Sequence, residues 1–276
     1  MNREEKIAAL KAKTNYEFED LVDVVEILRA PGGCPWDMEQ DHKSIRDDII
    51  EETYEVIEAI DTENPTLLCE ELGDVMLQAV FHTSIENQAG RFGMGDVMTG
   101  ICTKLIHRHP HVFGEISVDS SAQVLENWEK IKSDEKERVT VTDKLRAVPP
   151  QLPALMRAAK VGKKAKCFDF ANSDEVFVKL DEETAELREA VAGGDADAIE
   201  EEMGDLLLTV TSLCRKLGVK PENALNRATD KFIDRFEQVE NAVIEKGLDI
   251  NSLKMPELDA IWDENKKKSE KNAKKI

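Results

Sequence analysis

The chain has 276 residues, 34% charged and only 5% aromatic, and its 57 acids against 37 lysines and arginines leave a formal net charge of −20. That balance excludes a general binder of the nucleic-acid backbone, which needs a basic footprint to release counterions. A small polyphosphate ligand stays open, because a metal ion and a few local cations invert the field at a site. No apolar run reaches membrane-spanning length, and the start Met1-Asn-Arg-Glu-Glu-Lys6 has no apolar signal segment, so a cytoplasmic protein without membrane contact is expected. Cys34, Cys69, Cys102, Cys167 and Cys214 are scattered without a Cys-x-x-Cys pair and read as reduced thiols.

Phe18, Leu21, Val22, Val25 and Leu28 recur at helical spacing over 17–29, and Pro31-Gly32-Gly33 ends that helix. Cys34-Pro-Trp-Asp37 is expected to form a rigid loop. A helix over about 45–60 carries Glu52 and Glu55. Asn64-Pro65 caps the next, over about 66–88, since Asn suits the N-cap and Pro the first helical position. That helix carries Glu71 and Asp74. Gly90, Gly93 and Gly95 break the chain before a helix over about 96–107. His107-Arg-His-Pro-His111 places three imidazoles together, but the prolyl break denies them the i,i+4 pairing of helical metal sites, and the stretch reads as a structural or anion-contacting corner without metal.

Residues 133–150, ending in Val148-Pro149-Pro150, carry charge without an apolar period and read as a linker between domains at 1–132 and 151–276. The second half opens with a helix over about 152–166, then Cys167-Phe-Asp-Phe170, whose aromatic-Asp pair echoes Trp36-Asp37. Asn172 and Glu175 have capping-box spacing. The helix that follows has an apolar stripe at Val176, Leu180, Leu187 and Val191, with Glu183 inside it. Past Gly193-Gly194, Ile199, Leu206, Val210, Leu213 and Leu217 form a second stripe, with Glu202 in its gap and Asp205 on its border. Pro221 starts a helix carrying Asn226, Asp230, Lys231 and Arg235, and the basic run from Lys266 onward is expected to fray.

Glu183 and Glu186 are three apart, as are Glu202 and Asp205, so each pair shares a helical face. An acid on a core-facing stripe must be paired, protonated or metal-bound, because burying a lone carboxylate costs several kcal/mol. Two such helices packed antiparallel bring four acids together, and a hard cation reconciles them. The device occurs twice: Glu51-Glu-Thr-Tyr-Glu55 and Glu70-Glu-Leu-Gly-Asp74 match Glu182-Glu-Thr-Ala-Glu186 and Glu201-Glu-Met-Gly-Asp205 at one offset of 131 residues. Lys104-Leu-Ile-His-Arg108 answers Lys231-Phe-Ile-Asp-Arg235, and Trp128 answers Trp262. The chain is therefore an internal duplication of all-α domains.

All-oxygen ligands suit Mg²⁺, with Mn²⁺ as a substitute. A di-iron bundle would need Glu-x-x-His, and residues 112–276 contain no histidine. Lys179 lies one turn before Glu183, and Lys231 and Arg235 share a face, so all three have the spacing to reach phosphate oxygens, although each alone also suits a solvated surface. Trp262 reads equally as a base-stacking platform or as a residue capping the core.

These acids, with Gly33-Cys-Pro-Trp-Asp37 and Arg108-His-Pro-His-Val-Phe113, resemble the MazG family of nucleoside triphosphate pyrophosphohydrolases, in the all-α NTP pyrophosphatase superfamily. The resemblance spans nearly the whole chain after the first dozen residues. It implies a homodimer of tandem helical bundles that hydrolyses an NTP or dNTP to monophosphate and pyrophosphate with Mg²⁺. It also implies Glu183, Glu186, Glu202 and Asp205 as the metal-holding catalytic acids, with Lys179, Asn226, Asp230, Lys231, Arg235 and Trp262 binding nucleotide. The first copy keeps Glu52, Glu55, Glu71 and Asp74 but has Asp48 opposite Lys179, and Thr99 and Thr103 opposite Asn226 and Asp230. It reads as a vestigial metal site, which leaves the working site in the second half. The rival readings are a narrow dCTP or dUTP hydrolase and a non-catalytic metal or nucleotide sensor.

Overall fold

The computed structural model describes residues 2–135 and 140–273, without the side chains of 133–135 and 267–273. Among these residues the regular structure is fourteen α-helices and two 3-10 turns with no strand, an all-α protein. None of these helices is long and apolar enough to cross a membrane. The chain divides into two compact units, Met1–Glu135 and Lys136–Ile276.

The first unit contains α1 (Arg3–Ala12), α2 (Phe18–Arg29), α3 (Pro35–Glu39), α4 (Asp48–Asp61), α5 (Pro65–Gln88), α6 (Met94–Arg108), α7 (Pro110–Phe113) and α8 (Ser121–Glu135). The long α5 is its axis, packed by α4, α2 and α6. Val25 of α2, Ile45 ahead of α4, and Val80 and Phe81 of α5 form the buried core. Asn64 caps α5 as its sequence indicates, its side chain accepting from the amides of Thr66 and Leu67 at 3.2 Å each.

Cys34-Pro-Trp-Asp37 differs from expectation: it starts the short helix α3 instead of remaining a loop. Pro35 occupies the first helical position, where its fixed φ is already helical and its missing N–H costs nothing. The buried Arg29 then pins α3 by donating to the carbonyls of Asp37 and Gln40, and it reaches Gln88 Oε1 at 3.2 Å. Gly33 is required in this turn, since a Cβ there would collide with the Leu28 carbonyl.

The second unit contains α9 (Val141–Arg146), α10 (Ala154–Lys164), α11 (Ser173–Gly193), α12 (Ala196–Lys216), α13 (Pro221–Glu245) and α14 (Met255–Ala273). α9 falls within the stretch read as linker. Thr140 and Asp143 cap it reciprocally, the helix packs on α10, and Val148 is buried. Residues 136–139 of that stretch lie outside the described residues. Val239, Val243 and Ile261 form a core between α13 and α14, with Trp262 packed against it. The backbone of the basic tail is helical to Ala273, where fraying was expected, and 274–276 lie outside the described residues.

α11 and α12 form an antiparallel hairpin, with α10 against α12. Val176 is fully buried and Leu180 and Leu187 are half-buried, but Val191, Val210 and Leu217 of the expected stripes are exposed. Within this unit the hairpin is covered on one flank only. Its other flank leaves Phe177, Leu207 and Leu208 open, and α13 leaves Phe232, Ile233 and Phe236 open. The first unit repeats this with Ile50, Tyr54 and Ile57 on α4 and Leu72 and Met76 on α5.

Candidate active site

The α11–α12 hairpin is set by its caps. Asn172 accepts from the Glu175 amide at 3.0 Å, but the Glu175 carboxylate turns to the Ala171 amide at 2.8 Å, so the expected reciprocal box is half formed. Gly194 closes α11 in the left-handed region at φ 71°, and Asp195 opens α12 by accepting from the Asp197 amide at 3.1 Å. A turn this short forces α12 back along α11 and fixes which residues face each other.

Three acids meet across the hairpin. One carboxylate oxygen from each of Glu183, Glu186 and Glu202 lies within 4.8 Å of the other two. Glu183 is 4% exposed. Its Oε1 takes an ion pair from Lys179 Nζ at 2.8 Å, whereas its Oε2 is buried with no hydrogen-bond partner among the described residues. Such an oxygen is open to a ligand or a water, because leaving a charged acceptor unsatisfied costs more than the usual ~1–3 kcal/mol. The fit to a cation is good: all donors are carboxylate oxygens, one is unclaimed, and neighbouring negative charge accumulates on one face. Burial first, and then the charges of Glu186, Glu183 and Asp205, push Glu202 above its ordinary value. Asp205 is exposed and lies outside the close triplet.

Lys179 was expected to reach phosphate. It instead bonds Glu183 and also Glu182 at 2.9 Å, and those bonds raise its pKa, so it is a fixed cation at the edge of the acids. The i,i+4 spacing to Glu183 was the available signal. On α13, Asn226, Asp230 and Lys231 are exposed and make no hydrogen bond or ion pair with the four acids among the described residues. Arg235 lies 6.0 Å from the Trp262 ring, and Phe232 meets Trp262 at 5.5 Å. Phe232 was missed because it reads as an ordinary core position.

Another missed group is Asp169, which accepts from Arg215 at 2.7 and 2.5 Å and from Lys216 at 3.0 Å, tying the α10–α11 connection to the end of α12. The Arg215 guanidinium, with Lys216, holds its carboxyl well below the usual range. A depressed carboxylate contributes stability that is complete above its unfolded pKa and lost as pH falls. Asp169→Asn should therefore lower stability near neutrality by about 1.5–3 kcal/mol, seen as a lower urea midpoint that approaches wild type on acidification. An unchanged midpoint at pH 7 would remove this anchor from the account. The echo with Asp37 is not structural, since Asp37 offers Arg29 its backbone carbonyl.

The first unit assembles Glu52, Glu55 and Glu71 within the same 4.8 Å. Glu71 is buried and pushed up to about 7, by burial first and then by Glu55. Glu52 is raised by burial and then by Asp74 and Glu55. The repeated Glu-Glu-Thr has a structural reason: Thr53 donates to the Ile49 carbonyl and Thr184 to the Leu180 carbonyl, each at 2.7 Å. At the Lys179 position this unit has Asp48, so no lysine neutralises its acids from there. In the histidine corner, His109 Nδ1 meets the Leu105 carbonyl at 2.6 Å and its ring packs against His111.

Residues 40–113 and 172–240 both match the model of the MazG nucleotide pyrophosphohydrolase domain. The chain is 42% identical over 251 residues to the nucleoside triphosphate pyrophosphohydrolase/pyrophosphatase MazG of Thermotoga maritima, across 90% of this chain and 95% of that protein. It is 39% identical over 258 residues to the nucleoside triphosphate pyrophosphohydrolase of Escherichia coli K12, across 91% and 97%. With both matched segments falling on the acid-bearing hairpins, the chain belongs to the MazG family of nucleoside triphosphate pyrophosphohydrolases.

Proposed function

We propose that the enzyme hydrolyses NTPs and dNTPs to the monophosphate and pyrophosphate at the α11–α12 hairpin, with Mg²⁺, or Mn²⁺ in its place, held by Glu183, Glu186, Glu202 and Asp205. The observation that carries this is the unclaimed, buried Glu183 Oε2 inside a triplet of acid oxygens. When bound, the cation would supply a polarised water and a clamp for phosphate oxygens. An acid of the cluster accepts the proton as water attacks the α-phosphorus. Lys179 holds Glu183 in place and offers positive charge beside the developing phosphate negativity. Lys231 and Arg235, one turn apart on α13, receive the departing pyrophosphate, while Asn226 and Asp230 orient the nucleotide and Trp262 with Phe232 offers the base an aromatic face.

The test is pyrophosphate release across the full panel of NTPs and dNTPs with Mg²⁺. Turnover of several is expected. Turnover of dCTP or dUTP alone would establish the narrow enzyme, and binding without any release would establish the sensor.

Lys179→Met should lower kcat by roughly 10²-fold, the usual cost of one well-aimed charged group. Unchanged kcat with an unchanged KM would remove Lys179 from the site. The open flanks of α11, α12 and α13 support a homodimer, because single domains rarely leave so much contiguous apolar surface to water. Light scattering at micromolar concentration should give twice the chain mass, and a monomer would refute it. Five free cysteines accord with a cytoplasmic setting. The first unit is proposed to be supportive, keeping acids without the cation at the Lys179 position.

A further inference from the structure

The first unit carries a side-chain chain that the hydrolysis does not use. His42, between α3 and α4, faces His82 of α5 with their Nδ1 atoms 2.8 Å apart, and His42 Nε2 meets Glu86 Oε1 at 2.5 Å. The ring centroids are 5.1 Å apart with planes inclined by 14°. That separation is the nitrogen contact plus a ring radius on either side, so the rings lie end to end and the two lone-pair directions oppose each other. Lone pairs aimed in this way suit one N–H···N bond, whereas a metal would need them to converge on a third point.

We propose that His42 and His82 share a single proton in a latch that fastens the α3–α4 connection to α5, and that a second proton opens it. The protonation states follow from the partners. Glu86 is ionised, held down to about 2 by Arg91 and then His42, so it accepts only, and His42 Nε2 carries a proton. In the neutral pair His82 Nδ1–H donates to His42 Nδ1. With one added proton, His42 donates from both nitrogens and His82 accepts. A second added proton sets two N–H groups head to head without an acceptor, between two like charges, and the rings must part.

The surrounding charges are few. Asp41 and Lys43 flank His42 on its own segment, Glu86 with Arg91 faces it from α5 and the turn beyond, and Asp48 of α4 acts on His82. Burial, and then His42, lower the His82 pKa against the opposing pull of Asp48. A lowered histidine contributes stability that is complete above about pH 6.5 and is lost as pH falls. The latched segment is also held by Arg29 donating to the Gln40 carbonyl, by a small turn in which Asp41 Oδ1 accepts from the amides of Lys43 at 2.8 Å and Ser44 at 2.9 Å, and by Ile45 in the core. Opening therefore loosens the connection that leads into α4, the helix of Glu52 and Glu55.

The device is private to this unit. At the offset that aligns the repeats, the second copy has Ser173, Leu213 and Leu217 in place of His42, His82 and Glu86. A proton-sharing pair present in the first unit without a counterpart in the second fits a pH-responsive role in the first unit, and it is separate from the hydrolytic site.

The test is a histidine ¹⁵N NMR titration of the full-length protein, with amide exchange measured over residues 40–47. The expected result is two coupled steps on His42 and His82, the second proton binding at least about tenfold more weakly than the first. Exchange protection over that segment should fall with the second step. His82→Gln, which hydrogen-bonds without titrating, should leave His42 with one simple step and abolish the acid-dependent loss of protection. Independent single titrations of the two histidines in the wild-type protein, which needs no variant to fold, would overturn the proposal. So would loss of protection at the same pH in both proteins.

Discussion

Glu186→Ala should abolish detectable pyrophosphate release, while Glu55→Ala in the same full-length chain should keep most of it. Both acids occupy the same place in a triplet whose oxygens lie within 4.8 Å, so geometry alone predicts equal effects. The difference lies in what surrounds them. Glu186 shares its site with Lys179, which forms an ion pair with Glu183 at 2.8 Å, whereas Glu55 belongs to a cluster with Asp48 in place of that lysine, and Asp74 and Glu55 push Glu52 upward. Phosphoryl transfer depends on positioning and charge stabilisation, and losing one aimed charged group costs roughly 10²-fold to 10³-fold. The first unit lacks counterparts of Lys179, Asn226 and Asp230 together. Helix content and oligomer size should match in the two variants, and the reverse pattern of activity would place the working site in the first unit.

Excess EDTA should stop turnover completely, and Mg²⁺ or Mn²⁺ should restore it. The donors are carboxylates without imidazole or thiolate, which favours hard cations. Mg²⁺ should also raise the thermal midpoint of the metal-free protein, by linkage of binding to folding. Glu183→Gln, which keeps the shape and replaces the carboxylate whose Oε2 has no hydrogen-bond partner, should largely lose that rise. Full turnover in EDTA would refute the metal requirement. An equal rise in the variant would move the cation to other ligands.

The fold class and the acid pairs were legible because helical periodicity is a local signal and the repeat sets the two acid spacings in register at one offset of 131 residues. Asn64-Pro65 and Asn172 announced helix starts through chemistry confined to three or four residues. Cys34-Pro-Trp-Asp37 was misread because its helix depends on Arg29, a buried side chain donating across the turn from α2. Val191, Val210 and Leu217 of the stripes were expected inside, because apolar spacing records that a face is apolar without recording whether its own unit covers it. Lys179 stands one turn before Glu183, a spacing that suits a phosphate contact and an ion pair equally, and the structure shows the ion pair. Asp169 with Arg215 spans 46 residues, beyond any periodicity. The His42–His82 pair spans 40 and left no signal at all.

Turnover of one NTP in water enriched in heavy oxygen distinguishes attack of water on the α-phosphorus from attack on the β- or γ-phosphorus. With wild-type protein and Mg²⁺, the label should appear in the nucleoside monophosphate and be absent from pyrophosphate, and Glu186→Ala should give no labelled product. Label in pyrophosphate, or release of orthophosphate with a nucleoside diphosphate, would contradict the account.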